Sequence, residues 1–130
     1  MPELRGRVGA PPASQLAGRG DRRLKESMRL IDPLKFKAER AWDALDICEV
    51  EGATVRLHWT DQPYRWHTNE GREVFVVLSG EVLMHYREGG REKIAPLKAG
   101  EIFYADEGDE HFAHPLGEAR VLVIERKGSA

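Results

Sequence analysis

Trp66-His67-Thr68-Asn69-Glu70-Gly71-Arg72-Glu73 runs directly into Val74-Phe75-Val76-Val77-Leu78 and stops at Ser79-Gly80. The second half is apolar at every position, the pattern of a strand covered on both faces. The first half carries an imidazole, an amide and a carboxylate at positions 67, 69 and 73. Side chains alternate along a strand, so these three share one face if the strand is continuous. Gly71 would leave space between them, and Phe75 and Val77 would continue that face as an apolar floor. Further on, His111 follows the acidic turn Asp106-Glu107-Gly108-Asp109-Glu110. Two imidazoles, a carboxylate and an amide oxygen suit a divalent transition metal. A buried, ionised glutamate beside two imidazoles is costly alone, and a cation would remove that cost.

Working outward, Ala44–Val50 and Ala53–Thr60 flank Glu51-Gly52, and Val74–Leu78 and Val82–Tyr86 flank Ser79-Gly80. Both pairs read as hairpins, because glycine supplies the positive φ such turns need. Gly89-Gly90 turns the chain again, and Pro96 with Ala99-Gly100 ends the next strand. Ile102–Ala105, His111–Ala113 and Val121–Glu125 follow. Short strands at this spacing, without a long helical period, predict an all-β sandwich or barrel. One face of Val74–Leu78 would line the interior. The other must meet a second layer or a partner subunit, which predicts a homodimer.

The chain has 130 residues, enough for one domain. Residues 1–27 carry six basic and three acidic side chains, and residues 28–130 fourteen basic and nineteen acidic ones. The mildly acidic main part disfavours a nucleic-acid partner. Cys48 is the single cysteine, so an intramolecular disulfide is excluded and a reducing, cytoplasmic setting is expected. Its apolar strand context predicts a buried, inert thiol. No apolar run approaches the roughly 20 residues that span a bilayer, so no membrane partner is expected. The N-terminal arginines lack the apolar segment of a secretory signal. Gly, Pro, Ala, Ser and Arg dominate residues 1–27, with Pro11-Pro12 and Gly18-Arg19-Gly20 opposing regular structure. That stretch reads as a flexible N-terminal tail, over-read upstream of Met28 or a transit leader, against which Asp21 and Glu26 weigh. Residues 28–130 then form a single domain, and a chain starting at Met28 should fold as well as the full chain.

Residues 53–126 resemble a cupin. The first motif of that family is a glycine, a His-x-His pair, a glutamate after three or four residues and a glycine after six more. Here His67-x-Asn69, three residues, Glu73, six residues and Gly80 follow it. Asn69 replaces the second histidine, and Asp61-Gln62-Pro63-Tyr64 stands where the opening glycine belongs. The second motif is Gly, five residues, Pro-x-Gly, two residues, His, three residues, Asn. Gly100, Asp106-x-Gly108 and His111 match it, with Asp106 for the proline and Pro115 for the asparagine. The resemblance implies a cupin-type jelly-roll β-barrel. It implies metal ligation by His67, Glu73 and His111, with Asn69 in the place of a fourth ligand. Asparagine can coordinate through its carbonyl oxygen, more weakly than imidazole, or hold a water on the metal. Two histidines and one carboxylate suit Fe and oxygen chemistry, while Zn, Mn or Ni also fit. Cupins include dioxygenases, isomerases, decarboxylases, storage proteins and sugar sensors. The expectation is one divalent transition metal serving an enzyme of oxygenase or isomerase type on a small polar molecule. The alternative is a non-catalytic ligand-binding or sensor cupin, with or without metal.

Other residues carry weaker expectations. His114 should lie on the face opposite His111, and His58 and His85 should be structural or exposed. Trp59, Tyr64 and Trp66 read as packing residues, or as an aromatic wall at a pocket mouth. Arg56 and Arg65 read as solvated, or as a clamp for an anion. Tyr104 could bring a phenol near the metal. Glu107, Asp109 and Glu110 form an acidic loop at the rim. There is no phosphate-cradling glycine loop and no hydrolase triad spacing.

Overall fold

A computed structural model describes residues 20–25 and 27–129, and these are all-β apart from one short 3-10 turn at Pro33–Lys35. In chain order the strands are β1 Asp21–Lys25, β2 Met28–Ile31, β3 Ala44–Val50, β4 Ala53–Thr60, β5 His67–Thr68 and β6 Glu73–Ser79. They continue with β7 Glu81–Glu88, β8 Arg91–Lys98, β9 Ile102–Ala105, β10 Glu110–Pro115 and β11 Ala119–Arg126. All pairings are antiparallel. They build a five-stranded sheet of order β3-β4-β11-β6-β9, a four-stranded sheet of order β5-β10-β7-β8 and a separate β1-β2 hairpin.

The two larger sheets enclose the main core. Phe75 and Val77 of β6 and Val121 and Val123 of β11 pack with Val82 and Met84 of β7 and Ala113 of β10. Alternation puts the intervening residues outside, where Leu45, Leu57, Trp59 and Phe36 make a second cluster. Val74–Leu78 is therefore apolar throughout because its even and odd positions meet different surroundings. The β6–β7 turn needs glycine: Gly80 has φ +79, and a Cβ there would stand 2.3 Å from the Glu118 carbonyl oxygen.

Three expectations change. Asp21–Lys25, inside the segment expected to be irregular, pairs with β2. Asp21 is buried and bonded to Arg29 at 2.8 Å, so a chain starting at Met28 would lose that partner. Residues 1–19 lie outside the described residues. Pro96 sits within β8 instead of ending it, tolerated because β8 is an edge strand with no ladder bond required on its outer side. Cys48 is exposed, not buried. A bulge between Asp46 and Cys48 on the edge strand β3 breaks the alternation that the sequence suggested.

Candidate metal centre

The chain does not run as one strand from His67 to Glu73. β5 belongs to the four-stranded sheet and β6 to the five-stranded one, with Asn69–Arg72 crossing between them. The donors therefore converge from both layers. His67 stands opposite His111 in the β5–β10 pairing, with ring centroids 4.4 Å apart. Glu73 enters from β6, where its neighbour on β9 is the small Ala105. Asn69 is fixed by its own backbone, whose N–H donates to Asp109 O and whose C=O accepts from Gly108 N, both at 2.9 Å. The acidic loop thus holds Asn69 in place through its backbone. Gly71 plays no part in the cluster: a Cβ there would meet Arg126 at 3.6 Å.

His67, Glu73 and His111 bring one ligand atom each within 4.8 Å of one another. His111 Nε2 lies 2.8 Å from Asn69 Oδ1 and 3.0 Å from Glu73 Oε1. Two oxygens crowding one nitrogen require a proton or a cation between them. Asn69, Glu73 and His111 are all buried. His67 Nε2 and Asn69 Nδ2 find no hydrogen-bond partner, an arrangement that costs free energy unless another group completes it. His67 Nδ1 sits 3.1 Å from Arg65 O; only a protonated nitrogen bonds a carbonyl, so Nε2 keeps its lone pair for a ligand. Burial lowers the His67 pKa, despite that bond, and keeps the ring neutral. The donor set and its orphaned atoms fit a divalent metal.

Glu125 is the residue that sequence reasoning missed. It stands directly across from Glu73 on β11 and is buried. Burial, then the charge of Glu73, pushes its carboxyl up to about 8. Burial also pushes Glu73 up, but the hydrogen bond and charge of His111, with help from Glu125 and His67, hold it below its ordinary value. The signal was present in Val121-Leu122-Val123-Ile124-Glu125: alternation that buries Val121 and Val123 buries position 125 too.

The remaining candidates separate cleanly. His58 faces inward and is fully buried, with Nδ1 2.7 Å from Trp42 O; burial lowers its pKa to about 4. His85 stacks on Phe112, with ring centroids 4.2 Å apart, and bonds Glu92 on the outer face of the four-stranded sheet. His114 lies beside it. Tyr104 points outward and is exposed, away from the cluster. Phe103, one residue earlier, faces His111 at 5.7 Å. Tyr64 meets His67 edge-on at 5.3 Å, whereas Trp59 joins the second cluster and Trp66 packs on Phe112. The three aromatics do not form one wall. Arg56 is buried and paired with Asp46 at 2.9 Å, and the exposed Arg65 lies over Tyr64.

The sequence profile of the cupin domain matches residues 51–125. That is more than half of the chain, and the chain belongs to this family. The 3-hydroxyanthranilate 3,4-dioxygenase of Bos taurus is 36% identical over 62 residues, covering 48% of this chain but only 22% of that enzyme. A cupin-2 domain protein from Shewanella frigidimarina superposes with a TM-score of 0.62 at 24% identity, over 69% of this chain and 85% of that one. A cupin superfamily protein from Desulfitobacterium hafniense gives 0.65 at 12% identity, over 79% and 94%. These two likenesses establish the fold alone. No helix among the described residues is long and apolar enough to cross a membrane.

Proposed function

We propose that the chain is a small metal-dependent cupin enzyme of oxygenase type, acting on a small polar molecule. The observation that carries this reading is the convergence of His67, Asn69, Glu73 and His111 from two sheets on one buried point. His67, Glu73 and His111 would hold a divalent transition metal, with the Asn69 carbonyl oxygen in the fourth place. Two histidines and one carboxylate favour iron(II) over the zinc, manganese or nickel that could also bind. Such a metal supplies redox chemistry toward dioxygen and a Lewis acid for a substrate oxygen. Similarity to 3-hydroxyanthranilate dioxygenases supports oxygen chemistry over isomerisation. The two-sheet strand order fits the jelly-roll path of a cupin, and the lone cysteine fits a cytoplasmic setting.

The chain's own residues would do the rest. The Arg65 carbonyl fixes the His67 ring, Ala105 leaves room beside Glu73, and Phe103 and Tyr64 present apolar surface that limits water. Glu125 keeps a proton facing Glu73, so that one carboxylate charge, not two, faces the cation. Tyr104, exposed on the outer face, has no part in this chemistry.

A second reading rests on the Asn69–His111 hydrogen bond at 2.8 Å, which gives His111 Nε2 and Asn69 Oδ1 each a partner without metal, leaves Asn69 Nδ2 open to a polar ligand and would suit a binding or sensor cupin. Elemental analysis of untagged protein, purified without chelators or a nickel column, separates the two. The proposal expects near-stoichiometric iron and oxygen uptake with small aromatic or polar acids. Protein that takes up no divalent ion on incubation would overturn it in favour of the second reading.

A further inference from the structure

The inner face of the five-stranded sheet changes character from strand to strand. On β6 and β11 it carries Phe75, Val77, Val121 and Val123, all part of the core. On β4 it carries Thr54, Arg56, His58 and Thr60, all polar and all buried. The register fixes this orientation, because cross-strand partners share a face. Arg56 stands opposite Val123, His58 opposite Val121, and Thr54 opposite Glu125. Arg56 therefore points into the sandwich, on the face that also carries Glu73 and Glu125.

The Arg56 side chain is 8% exposed and lies 2.9 Å from Asp46, its partner on β3, which is 25% exposed. A buried ion pair adds little stability over apolar side chains of the same volume, so fold stability alone does not account for this one. A guanidinium offers five N–H donors in a planar fork that fits a carboxylate with two parallel bonds. Near it, His58 Nε2 has no hydrogen-bond partner among the described residues although the ring is fully buried. Burial dominates the ionisation of both Glu125 and His58, and the Arg56 charge acts on each of them. Arg56 thus lies within electrostatic reach of the carboxylate row that ends at the metal centre.

Two strand spacings and two residues along the strand separate Glu73 from Arg56, about 12 Å between Cα atoms. With both side chains leaning inward, a molecule about one ring in length bridges the guanidinium and the metal centre. Tyr64, edge-on to His67 at 5.3 Å, and Phe103, 5.7 Å from His111, border that centre with flat apolar surface.

We propose that Arg56 anchors the carboxylate of a small, flat hydroxy acid inside the barrel, with the acid's hydroxyl oxygen directed at the metal centre. The inference rests on the metal-site reading above and assigns the substrate class and the residue that selects it. Asp46 is then a positioning residue, which holds the guanidinium through Nε.

Calorimetric titration of the full chain, loaded with iron(II) under nitrogen, tests this with 2-hydroxybenzoate and its neutral counterpart 2-hydroxybenzamide. The acid should bind at least about tenfold more tightly than the amide, the scale of a charge-assisted hydrogen bond. Removing one partner alone would strand a buried charge, so the pair is neutralised together as Arg56→Met with Asp46→Asn. That double variant should melt as the parent does, hold metal as tightly, and bind acid and amide alike. Arg56→Lys keeps the charge but not the fork, so the preference for the acid should shrink severalfold without vanishing. Metal-free protein titrated in parallel should keep the preference at lower overall affinity. Failure of the metal reading therefore shows as absent metal with the preference intact, whereas failure of the anchor shows as lost preference with metal bound. Equal affinity for the two probes in the parent, no binding of either, or a preference that survives in the double variant overturns the proposal.

Discussion

Glu125 lies directly opposite Glu73 across the β6–β11 ladder, and both carboxyl groups are buried. Two like charges at such a site cannot both be ionised at low cost. The geometry gives the charge to Glu73, which faces His111, and the proton to Glu125.

This pairing fixes a pH dependence for chelator-treated protein. The folded Glu125 value rises from 4.5 to about 8, so its contribution to stability is fully present below the unfolded value. It is lost as pH climbs toward 8, because the unfolded chain releases that proton first. Glu125→Gln keeps a donor toward Glu73 without needing a proton. Its melting temperature should exceed the parent's near pH 8 by several degrees, with the gap closing toward pH 4.5. A gap that does not change across the window would contradict the shared-proton assignment.

The donor set predicts opposite changes at two neighbouring positions. Glu73→Gln removes the only carboxylate of the His67–Glu73–His111 group and should weaken metal binding at least about tenfold. Asn69→His exchanges a weak oxygen donor for imidazole and should tighten it. Competition against a chromophoric chelator reads both without requiring turnover. Equal affinities in the two variants would remove these residues from the ligand set.

A pair of glycines checks the turn geometry. Gly80 and Gly89 both have positive φ, but a Cβ at Gly80 meets the Glu118 carbonyl at 2.3 Å while one at Gly89 meets nothing within 4 Å. Gly89→Ala should cost about 1 kcal/mol, from backbone strain alone. Gly80→Ala adds a clash with backbone that cannot swing away and should cost at least about 2 kcal/mol more. Urea unfolding of the two variants measures the difference.

Much of this architecture was legible in the chain because turn glycines and alternating apolar residues act locally. Ala44–Val50, Ala53–Thr60 and Ile102–Ala105 form with the expected boundaries, since Gly52 and Gly100 punctuate them. The convergence of His67, Glu73 and His111 was legible through spacing, although the route differs: the chain changes sheets at Asn69–Arg72 instead of continuing as one strand. Cys48 and Tyr104 went the other way. Each depends on which face of an edge strand is covered, a tertiary matter that a bulge or an absent neighbour decides. Asp21 belongs with them, because its burial depends on Arg29 across the hairpin. Glu125 is different again: periodicity carried the information, but the weight of a carboxylate in an apolar register emerged only when Glu73 stood opposite.

His58 supplies the acid limb of stability. It is fully buried, its Nδ1–H donates to Trp42 O at 2.7 Å, and it holds a tryptophan whose own φ is +70, a costly conformation for a bulky residue. Burial lowers its pKa from 6.5 to about 4. A base with a depressed folded value resists protonation, so its stability is complete above pH 6.5 and is lost as pH falls toward 4, by about 3 kcal/mol at most. His58→Asn places an amide N–H where the imidazole donor was and cannot be protonated. The variant should be less stable near neutrality by about 1–3 kcal/mol, since it leaves space in the core. It should lose less stability than the parent between pH 6.5 and 4. Urea titrations at a series of pH values decide it: parallel acid limbs in parent and variant would show that another group governs acid unfolding.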